Sequence, residues 1–101
     1  MATSKEYRDF IVEQFAPSDG ITSRFMMGEY LLYRQGVLFG GIYDGRMLVK
    51  ITNGNKKFGL STAIPYDGAK PMYIIEDVEN SELMREIAQC TSEDIKSGKN
   101  K

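Results

Sequence analysis

The stretch VLFGGIYDGRMLVK, residues 37–50, decides the fold of this 101-residue chain. At its centre stands Asp44-Gly45, with apolar runs on both sides. An Asp-Gly pair between apolar runs is a strong signal for a two-residue hairpin turn, because both turn residues must tolerate positive φ. The stretch therefore predicts two antiparallel strands, over residues 37–43 and 46–52. The pair Gly40-Gly41 inside the first strand predicts a bulge, or space for a helix or an aromatic ring.

The turn also fixes which side chains share a face of the sheet. A two-residue turn at Asp44-Gly45 pairs Ile42 with Met47, and a second turn at Gln35-Gly36 extends the register to the preceding strand. Alternation then predicts a core face made of Leu31, Tyr33, Leu38, Gly40, Ile42, Met47, Val49 and Ile51. On the opposite face it places Tyr30, Leu32, Phe39, Gly41, Leu48 and Lys50.

The flanking sequence predicts a helix at each end of the chain. The first runs from about Ser4 to Ala16, with Ser4 as its N-cap. The last is capped by Asn80 or Ser81 and buries the face formed by Leu83, Met84, Ile87, Ala88 and Thr91.

The segments between the helices and the hairpin complete the predicted order. Residues 21–34 predict two strands, or one strand bent at Gly28. Residues 53–62 predict a loop or a short helix, and residues 65–71 predict a turn between two strands, the second of which covers residues 72–76. This order predicts a two-layer α+β domain over residues 1–95, in which helices flank an antiparallel sheet of about five strands. Residues 96–101 are predicted to be a frayed polar tail.

The face opposite the predicted core is too apolar to face water. Two short helices can cover one face of the sheet but not both. We therefore expect a homodimer whose interface is formed by Tyr30, Leu32, Phe39 and Leu48. The alternative is that residues 53–63 fold over this face within one chain.

Composition and motifs exclude several classes of function. Thirteen basic and 14 acidic residues give a net charge of -1, so no direct sequence-specific binding to nucleic acid is expected. The chain has no histidine, and its single Cys90 lacks an activating base, so we expect neither an enzyme nor a metal or cofactor site. It shows no apolar run long enough for a signal peptide or a membrane span, which predicts a cytoplasmic protein.

Three basic residues lie within predicted structure and could meet at one place. Arg24, Lys50 and Lys70 are the candidates for a site that binds an anion. The alternative is that they form ordinary ion pairs with Glu29, Asp44 or Asp67.

An ordered set of residues is similar to the N-terminal domain of the TfoX/Sxy family, named for regulators of competence-specific genes. The resemblance runs through residues 24–33 and 36–50 and resumes at Pro65-Tyr66, Gly68, Lys70 and Met72-Tyr73. It covers residues 5–91 and implies a two-layer fold similar to the secretion-chaperone-like fold, without enzyme activity. We therefore expect a small cytoplasmic regulatory or adaptor domain that contacts an unidentified protein, as in transcriptional regulation. The alternative is a domain that binds a small anionic ligand.

Overall fold

The structure, a computed structural model, describes residues 3–98 and has the predicted α+β architecture. Its helices and strands are α1 (Lys5–Val12), β1 (Ile21–Met26), β2 (Glu29–Arg34), β3 (Val37–Tyr43), β4 (Arg46–Val49), β5 (Thr62–Ala63), β6 (Met72–Ile75) and α2 (Ser81–Ser97). Short 3₁₀ helices span Pro17–Asp19 and Asn55–Phe58. The six strands form one antiparallel sheet in the order β1-β2-β3-β4-β6-β5.

Three two-residue turns connect the first four strands. At Met27-Gly28, Gln35-Gly36 and Asp44-Gly45, both residues have positive φ, between 50° and 84°. Two consecutive positive φ values are typical of the turns that match the twist of a hairpin. Residues 21–34 are therefore two strands, which raises the number of strands from the predicted five or so to six.

The register across the Asp44-Gly45 hairpin is confirmed, but the register between β2 and β3 is not. Ile42 pairs with Met47 as predicted. Between β2 and β3, Tyr33 pairs with Leu38, whereas Leu32 pairs with Gly40. Phe39 is thus an extra residue in a bulge, and it shifts the alternation by one position. The prediction failed there because it assumed an unbroken strand.

The bulge brings the predicted interface residues into the core. Tyr30, Leu32 and Phe39 share the helix-covered face with Ile42, and all are buried. Leu48 lies on the opposite face but is fully buried as well. The predicted interface of Tyr30, Leu32, Phe39 and Leu48 is therefore wrong, because none of the four offers surface to a second chain.

The remaining predicted core residues divide between the two faces. Ile42, Met47 and Val49 are in the core with Ile75, as the Asp44-Gly45 register requires. Leu31, Tyr33, Leu38 and Ile51 are only half-buried. They belong to the side of the sheet that carries no helix, which we call the outer face.

Both helices cover the same face of the sheet. In α1, the Ser4 hydroxyl accepts a hydrogen bond from the backbone N–H of Tyr7, and Ile11 is buried. The Arg8 guanidinium donates to the Ser23 hydroxyl (2.9 Å) and lies 4.8 Å from the centre of the Tyr30 ring, so α1 crosses β1 and β2. The helix ends at Val12, before the predicted Ala16. The N–H groups of Gln14 and Phe15 donate to carbonyl oxygens three residues earlier, as in a 3₁₀ turn, and not four residues earlier.

Helix α2 begins at the predicted cap and buries the predicted face apart from Leu83, which is half-buried. The Asn80 side chain accepts a hydrogen bond from the backbone N–H of Leu83. Met84, Ile87, Ala88 and Thr91 are buried. The helix continues to Ser97 and ends at the left-handed Gly98, so Lys96 and Ser97 belong to its last turn and not to a frayed tail. Residues 99–101 lie outside the described residues.

The segment after β4 packs against α2. The Asn55 amide donates to the Thr91 hydroxyl (2.9 Å), and the Thr52 hydroxyl donates to the Asp94 carboxylate (2.7 Å). The interpretation that residues 53–63 cover the second face is therefore wrong. These polar contacts hold the first half of the segment on the helical side of the molecule.

Candidate functional site

The outer face is covered by residues 64–71, which join β5 to β6. The Arg46 guanidinium, at the start of β4, donates to the carbonyl oxygens of Ile64 (3.1 Å) and Pro65 (3.2 Å). The rings of Tyr43 and Tyr66 have their centres 6.2 Å apart. The Asp44-Gly45 hairpin, whose register the sequence predicted, thus anchors this covering segment.

Between the covering segment and the sheet lies a cavity of about 630 Å³, which we call the lysine cavity. Its polar wall is formed by Lys50, Lys70, Tyr43 and Tyr66. The remaining lining residues are apolar or lack a side chain: Leu38, Gly40, Ile51, Pro65, Ala69, Pro71 and Met72. The volume falls within the range of natural small-molecule sites.

The glycine pair in β3 makes room for this arrangement. A Cβ atom at Gly41 would lie 2.8 Å from the ring of Tyr43, and one at Gly40 would overlap the carbonyl oxygen of Leu48. Of the predicted alternatives for Gly40-Gly41, the close approach of an aromatic ring is confirmed at Gly41, whereas the bulge lies one residue earlier, at Phe39. Gly41 gives Tyr43 the space to lie along the outer face, and Gly40 lets β3 approach the backbone of β4.

Lys50 and Lys70 have no acidic partner in the part of the chain that the structure describes. Lys50 is half-buried and Lys70 is exposed. The carboxylate of Glu29 is engaged elsewhere, with the hydroxyl of Thr3 (2.7 Å) and the backbone N–H of Asp44 (3.0 Å). The alternative in which the basic residues pair with acids is therefore wrong for residues 3–98.

Arg24 is not part of the lysine cavity. It is exposed on β1, opposite Leu31, and lines neither of the cavities on the outer face. The strand order places β1 three strands away from β4. The structure thus brings together two of the three predicted anion-binding residues.

Tyr43 contributes a neutral phenol to the wall. Burial raises the pKa of Tyr43, and its neighbours Tyr66, Glu29 and Tyr33 raise that pKa further. The hydroxyl is therefore protonated at neutral pH and can donate a hydrogen bond. Tyr43 could not be predicted from the sequence as a site residue, because its position depends on the contact with Tyr66.

A second cavity of about 460 Å³ adjoins the first, and we call it the methionine cavity. Tyr43 and Tyr66 line both cavities, so the two rings form the partition between them. Its other walls come from Met26, Met27, Glu29 and Leu31. The outer face therefore carries a basic cavity and an apolar one side by side.

Cys90 lies within α2 and is half-buried. Burial raises the pKa of its thiol, and the nearby Asp94 and Glu93 raise it further against the opposing effect of Lys57. The thiol is therefore protonated at neutral pH.

Within residues 3–98, no three histidine, cysteine or acidic side chains cluster closely enough to hold a metal ion. No helix in this part of the chain has the length and apolar character needed to span a membrane.

The fold and the site define a two-layer α+β domain with a ligand-sized cavity on the helix-free face of its sheet. The chain is 33% identical, over 95 residues, to the uncharacterised 12.7 kDa protein in the trpE 5′ region of Spirochaeta aurantia. The match covers 91% of this chain and 83% of that protein, and the chain belongs to the same family. No family model and no solved structure matches it, so the resemblance to the TfoX/Sxy family stays a prediction.

Proposed function

We propose that this chain is a small non-enzymatic domain that binds an anionic ligand in the lysine cavity. One observation carries the proposal: Lys50 and Lys70 line the same cavity without an acidic partner in the described residues. Two ammonium groups at one cavity, without carboxylates to neutralise them, create a positive potential that attracts an anion.

The walls of the cavity specify a ligand with two chemically different parts. An ammonium group acts as a compact point charge, which suits a carboxylate or a phosphate. Leu38, Ile51 and Met72 offer an apolar wall beside it. Tyr43, which lines the same cavity, supplies a hydroxyl donor. The ligand class is therefore a small organic anion with an apolar body, such as an aryl phosphate.

A thermal-shift experiment tests this proposal. Phenyl phosphate should raise the melting temperature more than inorganic phosphate does, and both should raise it more than chloride at equal ionic strength. The substitution Lys50→Met should remove the excess, because it deletes a charge from the cavity wall. Lys56→Met, at an exposed lysine outside the cavity, is the matched control and should keep the excess. The proposal fails if no anion-specific rise occurs, or if Lys50→Met retains it.

A second candidate function is regulation by contact with another protein in the cytoplasm, the setting that the TfoX/Sxy resemblance implies. The observation in its favour is the apolar surface at the β1–β2 turn, where Phe25 is 60% exposed and Met27 is 95% exposed. Soluble proteins expose such groups singly, but a cluster of them marks an interaction site.

Affinity capture with matched variants tests this second function. A regulatory partner should be retained by the wild type and by Lys50→Met, and it should be lost with Met27→Glu. Met27→Glu replaces an exposed side chain, so the fold is expected to survive the change. A partner that binds all three proteins equally would contradict a contact at this turn.

A further inference from the structure

The outer edge of β1 is unpaired within residues 3–98. β1 stands at one end of the strand order and pairs only with β2. It is six residues long, whereas β5 at the opposite end of the sheet has only two. A strand edge of this length is a template for pairing with another chain.

The hydrogen-bonding pattern identifies the backbone groups that point outward. The N–H of Gln35 donates to the carbonyl oxygen of Gly20 (2.9 Å), so these two residues form a hydrogen-bonded pair. Hydrogen-bonded and non-hydrogen-bonded pairs alternate along antiparallel strands. Ile21, Ser23 and Phe25 therefore direct their N–H and C=O groups toward the open edge.

The edge of β1 has few of the features by which natural sheets prevent pairing with another chain. Its sequence, ITSRFM over residues 21–26, contains one charged residue, Arg24, and no proline. The register between β1 and β2 shows no bulge. Edge strands of soluble proteins are usually guarded by lysine, proline or a bulge. Phe25 and Met26 are instead exposed beside the unpaired backbone.

We propose that β1 pairs with β1 of a second copy of this chain, antiparallel about a two-fold axis at Ser23. In this register, Ser23 faces Ser23 of the partner subunit, and Phe25 faces Ile21 of the partner subunit. The outward backbone groups of the two strands then meet, and apolar side chains oppose each other on the helix side. A two-fold axis at Arg24 would instead set two guanidinium groups against each other.

The groove beside this edge is compatible with such self-association. Between α1 and β1 lies a cavity of about 360 Å³ whose walls include Arg8, Asp9 and Glu13. Arg8 and Asp9 form an ion pair within one chain (2.7 Å), so most of the charge beside the edge is already neutralised in each copy. The proposed dimer uses none of the residues that line the lysine cavity, so its test is independent of the ligand proposal.

Light scattering on the full chain gives the first test. At micromolar concentration, the wild type should have a mass of about twice 11.4 kDa. Ser23→Pro removes one outward N–H, which an edge strand tolerates, and should give a folded monomer. Ser23→Ala keeps the N–H and is the matched control, expected to remain a dimer. If Ser23→Pro unfolds, Phe25→Lys is the variant that tests the dimer. It adds a charge at an exposed position of the edge and should give a folded monomer.

Crosslinking tests the register itself. In a Cys90→Ala background, Ser23→Cys should form an intermolecular disulfide, because residues facing each other in a hydrogen-bonded pair lie about 5.5 Å apart. Arg24→Cys should crosslink far more slowly. A wild type that is monomeric at all concentrations overturns the proposal. The edge would then be open to pairing with an extended segment of another protein. A dimer unaffected by Ser23→Pro and Phe25→Lys, or faster crosslinking of Arg24→Cys, also contradicts it.

Discussion

Asp19 is a buried carboxylate that links the turn after α1 to α2. It accepts hydrogen bonds from Nε of Arg85 (2.8 Å) and from the backbone N–H of Ala16 (2.8 Å). The bond from Arg85 lowers the pKa of Asp19 below its ordinary 3.8, and it outweighs the opposing effect of burial. The pKa is therefore lower in the folded chain than in the unfolded one. The resulting stabilisation is present above the unfolded pKa and is lost as the pH falls toward the folded value.

This ion pair predicts a pH-dependent difference between two proteins. Arg85→Gln should lower the free energy of unfolding at pH 6, where Asp19 is ionised in both states. The difference between wild type and Arg85→Gln should shrink as the pH falls below about 4, because Asp19 becomes protonated first in the unfolded chain and then, at lower pH, in the folded wild type. Urea unfolding from pH 6 to pH 3 measures it, with the exposed Lys96→Gln as control. A difference that does not change with pH would show that Arg85 acts through packing and not through the carboxylate.

At the scale of elements, one buried amide fixes the segment that follows β4. Asn55 is fully buried; its amide nitrogen donates to the carbonyl oxygen of Lys50 (2.7 Å), and its side-chain oxygen accepts from the N–H of Thr52 (2.9 Å). A third bond, to the Thr91 hydroxyl, ties the segment to α2. Asn55 therefore positions the backbone of Lys50 at the rim of the lysine cavity.

Removal of this amide should destabilise the domain. Asn55→Ala leaves the backbone groups of Lys50 and Thr52 without their partners, which should cost about 2–4 kcal/mol of unfolding free energy. Asn53→Ala, at an exposed position two residues earlier, should cost less than about 0.5 kcal/mol. Urea unfolding at neutral pH measures both. Equal, small losses for the two variants would mean that solvent or a neighbouring group satisfies the freed backbone groups.

The parts of the fold that depend on local signals could be predicted from the sequence. Asp44-Gly45 encodes its own turn, and the caps Ser4 and Asn80 encode the starts of the helices, because each acts over only a few residues. The bulge at Phe39 could not be predicted. One extra residue leaves the apolar pattern of the strand unchanged, but the residues beyond it point to the opposite faces of the sheet. The covering segment was missed for a related reason: its position is set by contacts between residues far apart in sequence, Arg46 with Ile64 and Tyr43 with Tyr66.

At the scale of the whole molecule, the two faces of the sheet are organised differently. The helices cover one face and form the core with it, whereas residues 64–71 cover the other and leave two cavities. Lys50 and Lys70 were found from the sequence because basic residues within structured segments are conspicuous. Tyr43 was not, because aromatic residues in strands usually pack in the core, and Tyr66 was not, because its position in the covering segment depends on its contact with Tyr43.

The central claim is that the lysine cavity binds an anion, and an NMR titration with phenyl phosphate tests it most directly. We predict saturable changes in backbone amide shifts that concentrate at residues 38–43, 50–51 and 64–72, which surround the cavity. The same titration of Lys50→Met should give weak changes without saturation. Shifts that do not saturate, that lie elsewhere in the chain, or that are the same in Lys50→Met would contradict the account.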